Sequence, residues 1–319
     1  MFTRIAVPLD GSDHGDCALP LAAALACRSE AALELVHAHA GYSYAAGAPA
    51  FDRRLDDEVK AQMRKRLEDT RERVAAHFHH EASLTWLEGP VAPALELHVA
   101  ESGADLVVMT THGRSGLSRV WLGSVAERMA RHSPVPVLFV RPTAVGVTWR
   151  GEPLLRRILI PLDGSERAET VLDHAMMLAT RGEAGFTLLQ VVVPLADAPS
   201  RDITNGIAFS RNHLPRPQRV AETYLEGVAA GLRRNGFPTT VKVIARGQTA
   251  RAILEHAQRV DADLIALATH GRGAAARLVI GSVAHMLLRT ATMPLLISRP
   301  APDGITCHVS TARMGARQS

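Results

Sequence analysis

The chain has 319 residues, 47% hydrophobic and 21% charged, with a net charge of +4 when histidine is neutral. Such length and composition fit two packed domains and exclude a disordered or fibrous chain. No stretch reaches the roughly 18 consecutive apolar residues of a membrane helix. Aromatics make up only 4%, leaving few stacking platforms for single-stranded nucleic acid, so neither a membrane nor a nucleic acid is an expected partner.

The N-terminus, M-F-T-R-I-A-V-P-L-D, lacks the charged-then-apolar layout of a leader and runs directly into a strand. A cytoplasmic protein is expected. Cys17 and Cys27 fall in one alanine-rich helical segment, where free cysteine is a small apolar filler; with Cys307 they form no C-x-x-C pair. Short apolar runs at Ile5–Leu9, Leu33–Ala38, Ser83–Leu87, Leu106–Thr110 and Val135–Val140 read as strands. His37 and His39 alternate on the second of these and are read as facing opposite sides, in core or rim packing.

Between the second and third strands, Leu55, Val59, Met63, Leu67, Val74 and Phe78 recur at steps of four or seven, as one face of a long amphipathic helix. Arg64, Lys65, Arg66, Arg71 and Arg73, interleaved with Glu68, Asp69 and Glu72, read as the solvated face of that helix. His77, His79 and His80 read as its solvated end, since no acid or cysteine at ligand spacing accompanies them. The β-α-β-α order predicts a parallel sheet covered by helices on both faces.

The chain then repeats itself. Arg4–Ser12 returns as Arg157–Ser165, and Ala104–Arg114 returns as Ala262–Arg272. Leu122–Met129 pairs with Ile280–Leu287, and Pro134–Pro142 with Thr292–Pro300. Two domains are therefore expected at 1–142 and 156–300, joined by a linker over 143–155 and followed by a polar, disordered tail at 301–319. The net insertion in the second repeat is expected in the polar loop from Pro194 to Pro217.

Two motif halves carry the chemistry. The first is Pro8-Leu9-Asp10-Gly11-Ser12, copied as Pro161-Leu162-Asp163-Gly164-Ser165. It ends a strand and opens a helix, where open parallel sheets bind ligands. Its carboxylate can accept ribose hydroxyls or hold a metal's water, or can simply cap the turn. The second half is Thr110-Thr111-His112-Gly113 followed after nine residues by Gly123-Ser124, copied as Ala268-Thr269-His270-Gly271 and Gly281-Ser282. A helix start reached through a glycine loop leaves N–H groups free for phosphate. Arg114 and Arg272 can add charge-assisted bonds. The alternative is a plain strand–turn–helix connection with Ser124 as N-cap. His112 and His270 are read as ligand contacts or loop anchors rather than catalytic bases. No G-x-S-x-G elbow and no G-x-x-x-x-G-K-[ST] loop occurs.

P-L-D-G-S combined with T-H-G-R-S-G-L-S-R-x-x-L-G-S-V-A-E-R resembles the universal stress protein family, over about 285 of the 319 residues. The resemblance implies an α/β fold of two tandem adenine-nucleotide α-hydrolase-like, Rossmann-like domains, each a five-stranded parallel sheet ordered 3-2-1-4-5. It implies that Pro8, Leu9, Asp10 and Ala38 line the adenine and ribose end. Thr110, His112, Gly113 and Arg114 would line the fourth-strand loop, and Gly123, Ser124 and Val125 the phosphates. The counterparts are Pro161, Leu162, Asp163, Val191, Ala268, His270, Gly271, Arg272, Gly281, Ser282 and Val283. The cofactor expected is ATP or another adenine nucleotide, with or without Mg, and the expected role is a stress-response regulator acting on a protein partner. Pairing of the two domains through their fifth strands, and a homodimer beyond it, are also implied. Thr110 and Ala268 replace the motif's first glycine, and a Cβ there crowds the ligand; the threonine hydroxyl can in turn bond the ligand. Unequal affinity at the two sites is expected. Two other readings stand beside nucleotide-dependent regulation: slow ATP hydrolysis or nucleotidyl transfer, and an adaptor or chaperone-like protein with vestigial sites.

Overall fold

The structure, a computed structural model, describes residues 1–41, 53–112, 122–142, 155–193, 217–269 and 280–299. Ten strands form one sheet in the order β3-β2-β1-β4-β5-β10-β9-β6-β7-β8. In the first repeat these are β1 (Arg4–Pro8), β2 (Ala32–His39), β3 (Ala82–Glu88), β4 (Leu106–Thr110) and β5 (Val137–Val140). The second contributes β6 (Arg157–Pro161), β7 (Gly185–Val192), β8 (Thr239–Ala245), β9 (Leu264–Ala268) and β10 (Leu295–Ser298). Each repeat is parallel throughout and ordered 3-2-1-4-5. The repeats join where β5 and β10 run antiparallel, with Leu138 opposite Leu296.

The helices are α1 (Asp13–Asp16), α2 (Leu19–Ser29), α3 (Arg53–Phe78), α4 (Val91–Glu101) and α5 (Ser124–His132), then α6 (Glu166–Glu169), α7 (Val171–Leu178), α8 (Pro217–Arg234), α9 (Thr249–Arg259) and α10 (Ser282–Thr290). Central strands are apolar without alternation because both faces are covered: Ile5, Ala6 and Val7 are all fully buried. Ile5 and Val7 share one core with α2, α3, α7 and α8, whereas Ala6 joins α4, α5, α9 and α10 on the other face. Both cores cross the seam, through Leu138 and Leu296 on one side and Phe139 and Ile297 on the other. Leu155, expected in a linker, is buried in the first core. Arg28 and Arg141 also cross, donating to the Leu178 and Arg289 carbonyls of the second repeat.

Four sequence expectations change. Leu55 is exposed at 48%, so the apolar stripe of α3 starts at Val59; beside it, Asp56 is buried. His39 explains this, because its Nε2 lies 2.8 Å from Asp56 Oδ1. His37 and His39 share a face and both rings pack on Trp86, with centroids at 4.8 and 5.6 Å; residues two apart on a strand point the same way. The basic stretch is not merely solvated. Arg66 and Arg73 reach buried Asp16 at 3.4 and 3.0 Å and tie α3 to α1, while Arg64 lies over Trp86. Cys17 is the C-cap of α1 and Cys27 sits exposed in α2, so they belong to separate helices and Cys27 is no core filler. At the end of α3, His80 meets the Ala31 carbonyl and His77 packs edge-on against Phe78. Cys307, the tail, most of the expected linker and, up to Pro217, the loop expected to hold the insertion lie outside the described residues.

Candidate functional site

Pairing of β1 with β4 sets the two motif halves side by side at the carboxyl ends of the central strands. At the end of β1, Leu9 N–H donates to the Val36 carbonyl at 2.8 Å while its side chain enters the core. Gly11 then takes φ +77°, a conformation that disfavours any side chain. The turn lets Asp10 Oδ1 accept from Ser12 N–H at 3.0 Å and from Ser12 Oγ at 2.6 Å. Ser12 Oγ accepts in turn from Gly15 N–H at 3.1 Å and caps α1. The second repeat copies this. Leu162 N–H donates to Leu189 O, Gly164 has φ +84°, and Asp163 Oδ1 accepts from Ser165 N–H and Oγ at 3.0 and 2.6 Å. One oxygen of each carboxylate therefore builds the turn. The aspartate is held rigid by its own serine, the residue whose role the sequence reading left out.

At the end of β4, the Thr110 hydroxyl donates to the His112 carbonyl at 2.9 Å, committing its proton to the loop itself. Gly123 N–H donates to the Thr111 carbonyl at 2.9 Å, which presses the start of α5 onto the end of β4. A Cβ at Gly123 would stand 3.3 Å from that oxygen; at Gly281 it would stand 3.0 Å from the Thr269 oxygen. Both glycines have ordinary helical-side φ values of −62° and −58°. They are glycine for room against a backbone carbonyl, not for an unusual conformation. Gly123 is also the N-cap, so Ser124 occupies the first helical position and the alternative of Ser124 as cap does not hold. Among the described residues no side chain caps either α5 or α10. The first N–H bonded within α5 is that of Glu127, to Gly123 O, and within α10 that of His285, to Gly281 O. The N–H groups of the residues between, Ser124 to Ala126 and Ser282 to Ala284, have no intrahelical acceptor and lie at the positive end of the helix dipole.

His112 Nδ1 lies 2.8 Å from the Thr111 hydroxyl, and its buried Nε2 has no hydrogen-bond partner among the described residues. Burial, then the charges of Arg141 and His14, hold its pKa below 6.5. The His112 ring thus senses positive charge from Arg141, just after β5, and from His14 in α1. His14 and Arg141 were missed in the sequence. Their signal was present for Arg141, because the Arg-Pro pair after the fifth strand recurs as Arg299-Pro300. Arg141 donates at 2.5 Å to the Arg289 carbonyl near the end of α10, so the first site rests against the second repeat.

Of the remaining expected residues, Ala38 is buried at the end of β2 and Val191 half-buried near the end of β7. Pro8, Pro161 and Ala268 at their strand ends, and Val125 and Val283 in the first turns of α5 and α10, are half-buried, and Leu9 and Leu162 offer only backbone. Gly113, Arg114, His270, Gly271 and Arg272 lie outside the described residues. Among the described residues no group of three or more His, Cys, Asp or Glu is placed to hold a metal, and no helix is long and apolar enough to cross a membrane.

A model of the universal stress protein family matches residues 1–141 and 155–299. A universal stress protein of Mycolicibacterium smegmatis is 28% identical over 204 residues, 63% of this chain and 64% of that protein. The chain therefore spans under two thirds of that relative's length. Universal stress protein YxiE of Bacillus subtilis is 32% identical over 149 residues, 44% of this chain and the whole of that one. Among solved structures, a universal stress protein from Archaeoglobus fulgidus superposes with a TM-score of 0.67 at 17% identity, covering 93% of this chain and 98% of its own. At that identity the likeness concerns the fold.

Proposed function

The chain belongs to the universal stress protein family, and from that premise we propose that each repeat binds an adenine nucleotide, with or without Mg, and that occupancy regulates a protein partner in the cytoplasm during stress. The observation that carries the reading is the start of α5 and of α10, which no side chain caps among the described residues and which a glycine presses onto the end of the fourth strand. Phosphate oxygens satisfy such N–H groups and are favoured by the dipole. In the first repeat His112 Nε2, with no hydrogen-bond partner among the described residues, and the positive charge that its ring senses from Arg141 and His14 add to the attraction for anionic oxygen. Asp10 and Asp163, fixed by Ser12 and Ser165, meet the ribose, with Ala38 and Val191 toward the base. Charge-assisted bonds to phosphate contribute about 1.5–3 kcal/mol each, so a few suffice for micromolar affinity.

The test is isothermal titration of the whole chain with ATP, ADP and AMP, together with Ser124→Asp and Ser282→Asp variants. An acid in the first helical turn stabilises the helix but repels phosphate. Two binding events are expected, one lost with each substitution, while thermal stability holds or rises. Unchanged binding in the double variant would refute the proposal. The adaptor reading draws on Thr110, whose hydroxyl is turned onto the His112 carbonyl; it predicts no nucleotide released on heat denaturation and no binding in either repeat.

A further inference from the structure

His98 and His256 occupy equivalent positions, seven residues after the first residue of α4 and of α9. In the first repeat His98 Nε2 lies 3.0 Å from Glu34 Oε1, and that buried oxygen also accepts from the Thr85 hydroxyl at 2.5 Å. The strand register shows what stands there in the second repeat. Ala6 is opposite Glu34, and its counterpart Leu159 is opposite Thr187; Val36 is opposite Thr85, and its counterpart Leu189 is opposite Lys242. The acid has been lost and the hydroxyl exchanged for a cation. His256 stayed, only 6% exposed, and neither ring nitrogen has a hydrogen-bond partner among the described residues.

A cleft of about 300 Å³ opens at this point, lined by Lys242, Ile244, Arg246, Glu255, His256 and Arg259. Glu255, its one carboxylate, is engaged by Arg246 and Arg251. Lys242 and Arg259 have no ion pair among the described residues, which leaves two cations and a buried imidazole facing a cavity whose one carboxylate is already engaged. We propose that the cleft between β8 and α9 is a binding site for a small dicarboxylate. One carboxylate accepts from the His256 N–H, as Glu34 faces His98 in the first repeat, and both meet Lys242 and Arg259. The size stands at the lower end of the range for small-molecule sites, roughly 300–1,000 Å³, too small to enclose a nucleotide. The cleft is at the outermost strand, with β6 and β7 between it and β9. It is therefore separate from the crevice where β6 meets β9, and the inference does not rest on nucleotide binding.

The full chain, labelled with ¹³C and ¹⁵N at histidine, tests this by NMR. The ring signals of His256 are assigned by their loss in His256→Gln. Succinate is expected to shift them saturably, acetate to bind about tenfold more weakly for want of the second charge, and sodium chloride at matched ionic strength to leave them in place. Lys242→Gln combined with Arg259→Gln, both at exposed side chains, should weaken succinate at least ~10-fold. Thr187→Glu should move the His256 signals without ligand and abolish the response, because it restores the acid of the first repeat. The proposal is overturned by any of four results: no saturable shift with succinate, an equal shift with chloride, tighter binding of inorganic phosphate than of succinate, or undiminished binding in the double variant.

Discussion

Replacing Gly281 by alanine probes how the helix start is held. The added Cβ would lie 3.0 Å from the Thr269 carbonyl, whose oxygen already accepts the Gly281 N–H at 2.9 Å. That oxygen belongs to backbone and cannot swing aside as a side chain would. The helix must move off the loop by a few tenths of an ångström, lengthening the hydrogen bond that joins them. Overpacking of this kind costs about 1–3 kcal/mol, and alanine for glycine at an N-cap adds about 1 kcal/mol. Since φ is −58° alanine takes this backbone without strain, and its lower unfolded-state entropy returns less than about 1 kcal/mol. The sum, about 2–4 kcal/mol, corresponds to a Tm fall of roughly 4–16 °C in a unit of this size. Gly123→Ala meets its carbonyl at 3.3 Å and should lose about half as much. Differential scanning calorimetry of the two variants beside the parent measures both. A Gly281→Ala protein as stable as the parent, or a larger loss at Gly123, would refute the claim that carbonyl contact fixes these glycines.

Three further outcomes are expected. Burial holds His112, His174 and His256 below their ordinary value of 6.5, so the folded chain refuses protons that the unfolded chain accepts. Their contribution to stability is full above pH 6.5 and lost as pH falls through the folded values; Tm should therefore drop from pH 7.5 to 5.5. Asp16, Glu169 and Asp173, raised by burial, act in the opposite sense from about pH 4 upward. A Tm that rises between pH 7.5 and 5.5 would mean that they outweigh the histidines. Arg66→Gln with Arg73→Gln leaves Asp16, 2% exposed, without either cation. Urea unfolding should show a loss of about 2 kcal/mol, below the usual figure for a buried pair because the arginines are partly solvated, and an unchanged midpoint would remove Asp16 as the tie. Arg141→Gln takes away one of the charges opposing protonation of His112, so the pKa of that ring, followed by NMR, should rise; a fixed value would show that the two groups do not sense each other.

Much of the fold was legible because the central strands are buried on both faces. The run Leu106–Thr110 is a strand with the expected limits, and the copied motifs located the second repeat. Strand order came from the family resemblance, since apolar runs alone do not order a sheet. Less legible were polar residues whose partners lie far along the chain. Asp56 turns inward to meet His39 on β2 and Lys60 beside it, and Arg66 spans exposed Asp13 and buried Asp16 of α1. Helix periodicity contains neither fact. For the candidate site, the motif halves marked where the chain turns. The sequence reading gave Gly123 to a ligand, whereas the fold presses it onto the Thr111 carbonyl. His14 is drawn in from α1 with no local pattern to mark it, whereas Arg141 is marked by its recurrence as Arg299.

The seam has a directional consequence. All strands of the first repeat run with β5 and all of the second with β10, and these two are antiparallel. Carboxyl ends therefore emerge at opposite rims of one continuous sheet, and each crevice opens beside the amino ends of the neighbouring repeat's strands. One small molecule cannot bridge the two. A body docked at one rim therefore faces the carboxyl ends of one repeat's strands and the amino ends of the other's.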